Sequence, residues 1–300
     1  MGKSYTYEAA RARVFEGRLF TEEDYRRLAQ ESSEQDLVHL LKSKGLGRAE
    51  SATAREVLQA EEERLKVSAR ALLGEGLVYR VFCLLQVYEQ LKLELKQNYR
   101  SLTERTVNGL ITESMKQHLP FWTKEMERAS GEAMRVLLET GNAQQFDMIL
   151  DQAAFGELCT AARQTRIASL TTYTRRKAET ANLRIALRSA AMGKSAAFIQ
   201  EALLKQDELQ SFTLAGQAAK GTDALLAYLG AHGWREAAAA WKQSPSAFEQ
   251  WCEEYERAAL QQGRQWEPFG IVLGYLLKKQ EEIKRIRRIA GALIWSPASA

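Results

Sequence analysis

A short phrase recurs on three long helical stretches about a third of the chain apart, and it constrains the fold more than any other feature. Gln90-Leu91-Lys92-Leu93-Glu94-Leu95-Lys96 is matched by Asn182-Leu183-Arg184-Ile185-Ala186-Leu187-Arg188. A weaker third copy, Arg285-Ile286-Arg287-Arg288-Ile289-Ala290, stands near the C-terminus. Recurrence of this kind is the mark of a supersecondary unit that buries its apolar face against its own repeats. The sequence therefore predicts a threefold helical body rather than a sheet built around a catalytic cleft.

The helical reading rests on spacing. Leu77, Val81, Leu84, Tyr88, Leu91 and Leu95 step by four and three, so they form one stripe on a helix from about Leu77 to Tyr99. The same register gives Ser169, Tyr173, Arg176, Thr180, Leu183 and Leu187 in the second copy. In the third it gives Val272, Leu276, Lys279, Ile283, Ile286 and Ala290. Only four prolines occur in 300 residues, leaving helices few interruptions, and good helix formers dominate. No alternating Val/Ile/Thr run predicts a strand. The expected class is all-α.

Helix starts are predicted at Thr21 with Asp24, Ser32 with Gln35, Thr53 with Glu56 and Ser246 with Glu249, where a side-chain oxygen can accept from an orphan backbone N–H. Stops are predicted at Gly45/Gly47, Gly74/Gly76, Gly141, Gly193 and Gly263, since glycine takes the left-handed cap conformation freely. Domain boundaries are expected in the stretch from Tyr99 to Pro120 and in the Gln206 to Gly221 segment.

Composition excludes several function classes. The 42 basic and 38 acidic residues nearly balance at a net charge of +4, which argues against a large phosphate-binding footprint. Cys83, Cys159 and Cys252 stand singly, without metal-site spacing, and read as reduced core cysteines. The opening Met1-Gly2-Lys3-Ser4-Tyr5 leads into polar helix without an apolar signal core. The longest apolar run, Phe269 to Leu277, is nine residues, well short of the roughly 20 that span a bilayer.

Motifs with chemical meaning are few. Gly193-Lys194-Ser195 resembles the end of a phosphate loop, but Arg188 stands where the loop needs glycine and a helix precedes it. A helix stop is the better reading. His39, His118 and His232 have no acid or cysteine at ligand spacing. Glu61-Glu62-Glu63 and Glu281-Glu282 read as solvated helix faces. Lys278, Lys279, Lys284, Arg285, Arg287 and Arg288 form a basic cluster that reads as a solvated or protein-facing surface. Trp234, Trp241, Trp251 and Trp266 read as packing aromatics.

The segment from Pro268 to Arg287 carries a more specific signal. A proline is followed by Gly274-Tyr275-Leu276-Leu277, then Lys279, Glu282 and Arg287. The opening Tyr5-Thr6-Tyr7-Glu8-Ala9-Ala10-Arg11-Ala12-Arg13, with Leu19 and Tyr25, and the triplet Asn182-Leu183-Arg184 add to it. Together and in order, these residues resemble the C subunits of prokaryotic V-type (A/V-type) ATPases and ATP synthases, whose eukaryotic equivalent is the d subunit. Gln280, Arg285 and Gln90 depart from the family's usual Glu, Asn and Asn.

That resemblance implies an all-helical funnel of three similar domains around a pseudo-threefold axis, here residues 1–105, 106–205 and 206–300. It implies a non-enzymatic adaptor on the central stalk of a rotary motor, joining the shaft of the catalytic head to the membrane proteolipid ring. No catalytic residue, metal, cofactor, nucleic acid or small-molecule substrate is expected. The place expected is cytoplasmic, attached peripherally to the membrane through the ring. Gln90, Lys92, Asn182, Arg184, Arg285 and Arg287, around the repeated phrase, are the expected axis-facing contacts with the shaft; equally, they could pair with acids between helices. The competing expectation is a helical scaffold that binds RNA or protein through its basic C-terminal helix.

Overall fold

A computed structural model describes residues 4–99, 116–117, 119–205, 211–262 and 265–294. The chain is all-α, as expected. A two-residue antiparallel pairing of β1 (Gln261–Gln262) with β2 (Gln265–Trp266) is the sole extended element among the described residues. The expected domain boundary near 105 and the one at 206 fall on residues outside the described set, as do His118 and the predicted stop at Gly263.

By proximity the chain forms two compact units. The first holds residues 1–79 and 260–300. It contains α1 (Thr6–Glu16), α2 (Glu22–Gln30), α3 (Glu34–Ser43), α4 (Ala54–Leu73) and, last in the chain, α14 (Pro268–Ile294). The second, residues 80–259, takes α5 (Leu77–Asn98) from Arg80 onward. It continues with α6 (Lys124–Thr140), α7 (Ala143–Gln164), α8 (Ala168–Ala191), α9 (Ala196–Ala202), α10 (Ser211–Ala219), α11 (Thr222–Ala231), α12 (Arg235–Gln243) and α13 (Pro245–Ala258).

Local chemistry explains the boundaries. Thr21 and Thr53 close capping boxes with Asp24 and Glu56, as predicted. Two starts shift from their predicted places. Ser33, not Ser32, caps α3 by accepting from the Asp36 N–H. Ser244, not Ser246, caps α13, because Pro245 fits the first helical position, where no N–H is needed. Gly193 follows α8 at φ 62, and Lys194 donates its N–H to Ser189 at 3.0 Å, the bond that ends a helix in a Schellman turn. Ser195 then caps α9. The Gly-Lys-Ser phrase is thus a stop followed by a start.

The repeated register is the buried stripe in all three long helices. Val81, Leu84, Tyr88, Leu91 and Leu95 of α5 are buried. So are Ser169, Tyr173, Thr180, Leu183 and Leu187 of α8, and Val272, Leu276, Ile283, Ile286 and Ala290 of α14. In unit 2, Leu183 and Leu187 enter an apolar cluster with Ile199, Leu214, Leu225, Leu229, Phe248 and Cys252, against which Trp234, Trp241 and Trp251 pack. Those three tryptophans are packing aromatics, as read; the side chain of Trp266 lies outside the described set. Cys83, Cys159 and Cys252 are buried free thiols, and burial pushes the Cys252 thiol up to about 12.

Candidate partner interface and the charged seams of the long helices

Each long helix is keyed to a neighbour in its own unit by paired charges. Along α5, Lys92 Nζ donates to Asp151 of α7 at 2.5 Å, and Lys96 reaches Asp147 at 2.6 Å. Glu157, three helical turns from Asp147, takes Arg80, the Tyr88 hydroxyl at 3.0 Å and the Thr123 hydroxyl at 2.9 Å. Basic residues ascending α5 meet acids descending α7, so the two run antiparallel along this seam.

α8 repeats the arrangement against α13. The Thr180 hydroxyl donates to buried Glu256 at 2.6 Å, and Lys177 approaches the same carboxylate at 3.1 Å. Arg184 donates to Glu249 at 2.8 Å, and Arg176 lies over the Tyr255 ring at 4.6 Å. Thr180 and Arg184 occupy the repeat positions of Tyr88 and Lys92. In both helices, therefore, a hydroxyl and a cation one turn apart serve acids on one neighbour. Burial alone would push the Glu256 carboxyl up, but Lys177, Thr180 and Arg184 outweigh it and hold it below the usual range.

α14 is held on two sides. Toward the α1–α2 elbow, Lys278 pairs with Glu16, Glu282 accepts from the Phe20 N–H at 2.7 Å, and Arg285 grips Glu22 with two bonds of 2.5 and 2.7 Å. The Arg285 guanidinium also lies 3.7 Å from the Tyr25 ring centre. Toward α4, Arg287 pairs with Glu62, and Lys279 sits between Glu61 at 2.9 Å and Glu282 at 2.5 Å. Burial would lower the Lys279 ammonium, yet the two carboxylates raise it overall.

This corrects the reading of Glu61 and Glu282 as solvated faces: they are 3% and 2% exposed. Packing α14 on α4 closes over Lys279, and an ammonium taken from water needs counter-charges buried with it. Sequence reasoning missed both because adjacent glutamates look alike until a partner helix selects one. Of the basic C-terminal cluster, Lys278, Lys279, Arg285, Arg287 and Arg288 each meet a glutamate, while Lys284 is exposed.

The six expected interface residues are therefore engaged within the chain. Gln90 donates to Glu94 at 2.9 Å. Asn182 exchanges two bonds with the Leu204 backbone, at 3.0 and 2.7 Å, in a fully buried site. Lys92, Arg184, Arg285 and Arg287 pair with acids of neighbouring helices. Arg285 and Arg287 belong to unit 1 and the other four to unit 2. His39 and His232 are exposed, His232 stacking on Tyr228 at 4.1 Å. Among the described residues no cluster of histidine, cysteine, aspartate and glutamate has metal-binding geometry. None of their helices is long and apolar enough to cross a membrane.

A search of curated proteins finds no match to this sequence. The family model described as ATP synthase (C/AC39) subunit, however, matches residues 88–294. That stretch takes in all three copies of the repeated phrase, while the tyrosine-bearing opening and the α1, α2 and α4 partners of α14 lie outside it. The chain belongs to the ATP synthase (C/AC39) subunit family, which comprises the C subunits of A/V-type ATP synthases and their eukaryotic counterpart, the d subunit.

Proposed function

We propose that the chain is a central-stalk rotor adaptor of a V-type rotary ATPase or ATP synthase. It joins the central shaft of the catalytic head to the membrane proteolipid ring and transmits torque for ion transport without making or breaking bonds itself. The observation that carries this reading is the family match across all three repeat copies. The charged seams support it. An adaptor under torque must resist bending, and long helices that are close-packed and cross-tied by paired charges do so.

In this reading the body consists of three similar domains, 1–105, 106–205 and 206–300, around a pseudo-threefold axis. It is attached peripherally to the cytoplasmic side of the membrane through the ring. The ring of partner contacts is drawn from the six repeat positions. Gln90, Arg184, Arg285 and Arg287 offer side-chain surface, while buried Lys92 and Asn182 hold the helices that present it.

The test is reconstitution. The purified chain should bind both the shaft proteins and the proteolipid ring, and should bridge them in one sedimenting complex. Truncation before Pro268 should leave ATP hydrolysis uncoupled from ion movement. Coupling that survives the truncation would overturn the reading. So would a chain that binds neither partner but binds RNA with a steep salt dependence.

A further inference from the structure

We propose that the outward face of α1 is a docking ridge for an acidic amphipathic helix of another protein. The inner face fixes the frame. Ala9 and Ala12 are buried, Tyr5 at the cap meets Phe269 at 5.2 Å between ring centres, and Glu16 pairs with Lys278, so α1 is held on α14. At about 3.6 residues per turn, the opposite side of the helix runs along Tyr7, Ala10 and Val14. All three are exposed, Tyr7 at 72% and Val14 at 61%. One exposed apolar side chain is ordinary, but three at i, i+3 and i+7 have the a–d–a spacing by which two helices pair. α2, next in the chain, instead turns Glu22, Glu23, Arg26 and Arg27 outward.

The charges beside the ridge set the chemistry of its partner. In the same heptad frame Arg11 stands at e and Arg13 at g, the positions from which paired helices exchange charges. The two acids of α1, Glu8 and Glu16, fall at b and c, off this face. Arg11 makes no ion pair among the described residues. Its guanidinium lies 5.9 Å from the Tyr7 ring centre and 5.8 Å from that of Phe15, which keeps it beside the ridge. Arg13 shares Glu16 with Lys278, so positive charge is left over there too. Gly17 continues the ridge in right-handed helical conformation, and the exposed Arg18 after it has no ion pair among the described residues. A second copy of this chain would set arginine against arginine, which works against pairing. An anionic bilayer calls for a broader apolar face than Tyr7, Ala10 and Val14 provide. A helix with apolar residues at a and d and glutamates at e and g answers both features. Some three turns of contact cover well under the roughly 1,000 Å² of a stable interface, so this docking is weak and salt-sensitive. The ridge belongs to unit 1 alone and does not depend on the rotor reading.

Amide NMR shifts of the full chain, titrated with two synthetic helical peptides, test this. Both peptides carry leucine at a and d; one has glutamate and the other lysine at e and g. The glutamate peptide should shift amides of residues 7–18 and bind at least about tenfold more tightly than the lysine peptide, a preference that fades between about 50 and 500 mM salt. Arg11→Glu/Arg18→Glu should invert the preference, because exposed attractions become repulsions of similar size. Val14→Asp should weaken the glutamate peptide at least about fivefold by placing a charge in the seam. Equal binding of the two peptides, a preference that survives Arg11→Glu/Arg18→Glu, or no shifts at about 1 mM peptide would overturn the proposal. So would self-association of the chain that Val14→Asp abolishes, or binding to phosphatidylserine vesicles through Tyr7 and Val14 with none to the glutamate peptide.

Discussion

Replacing Lys279 by methionine isolates the buried charge cluster of unit 1. The ammonium lies 2.9 Å from Glu61 and 2.5 Å from Glu282, whose side chains are 4% and 2% exposed. At about 3 Å and an effective dielectric of about 20, each pair attracts by roughly 6 kcal/mol, offset by the several kcal/mol that burying each ion costs. Methionine keeps most of the volume but leaves two carboxylates facing each other without the cation between them. Breaking a buried pair in this way typically costs about 3–5 kcal/mol. The lower end applies here, because Glu282 keeps the Phe20 N–H, and Glu61 keeps the Gly47 N–H and Arg64. A loss of about 3 kcal/mol should speed exchange of α4 and α14 amides on the order of a hundredfold at neutral pH. The triple variant Lys279→Met/Glu61→Gln/Glu282→Gln should recover most of the loss. Wild-type exchange in Lys279→Met, or a triple variant worse than the single one, would refute the account.

Other consequences are simpler. Phe248→Ala removes a ring that is 1% exposed and meets Trp241 at 5.2 Å; it should cost unit 2 about 3–5 kcal/mol, read as an earlier urea transition in tryptophan fluorescence. Gly47→Ala should destabilise unit 1 by about 1–3 kcal/mol. Its φ is +75 and a Cβ there would stand 3.0 Å from the Val57 side chain; urea unfolding followed by circular dichroism measures the loss. The depressed Glu256 carboxyl contributes stability above its unfolded pKa of about 4.3, which is lost as pH falls through its lower folded value. The stability gap between wild type and Glu256→Gln should thus be full at pH 7 and shrink below about pH 4 in urea titrations at stepped pH.

Much of this protein was legible without coordinates. The 3.6-residue period put the stripe of α5 on the page, and the same register picked out buried positions in α8 and α14. The third position of the stripe, Leu84 in α5 but Arg176 and Lys279 in its copies, looked like decay of the pattern. In the structure both cations sit at the helix seam, one over Tyr255 and one between two glutamates. Cap spacing placed Thr21 and Thr53 correctly. It misses Ser244, because Ala247 rather than an acid stands three residues on and no capping-box pattern marks the start.

Helical period, caps and stops depend on residues a few positions apart, which is why the all-α class, the long rods and their apolar faces can be read from local spacing alone. Which rods become neighbours depends on groups far apart in the chain. Long-range packing is what makes the last helix complete a unit begun by the first 79 residues, with Arg285 on Glu22 and Lys279 on Glu61. The same packing selects which glutamate of an adjacent pair is buried. A charge is neutral to local periodicity; its role is set by the desolvation it suffers and by the counter-charge that packing brings to it.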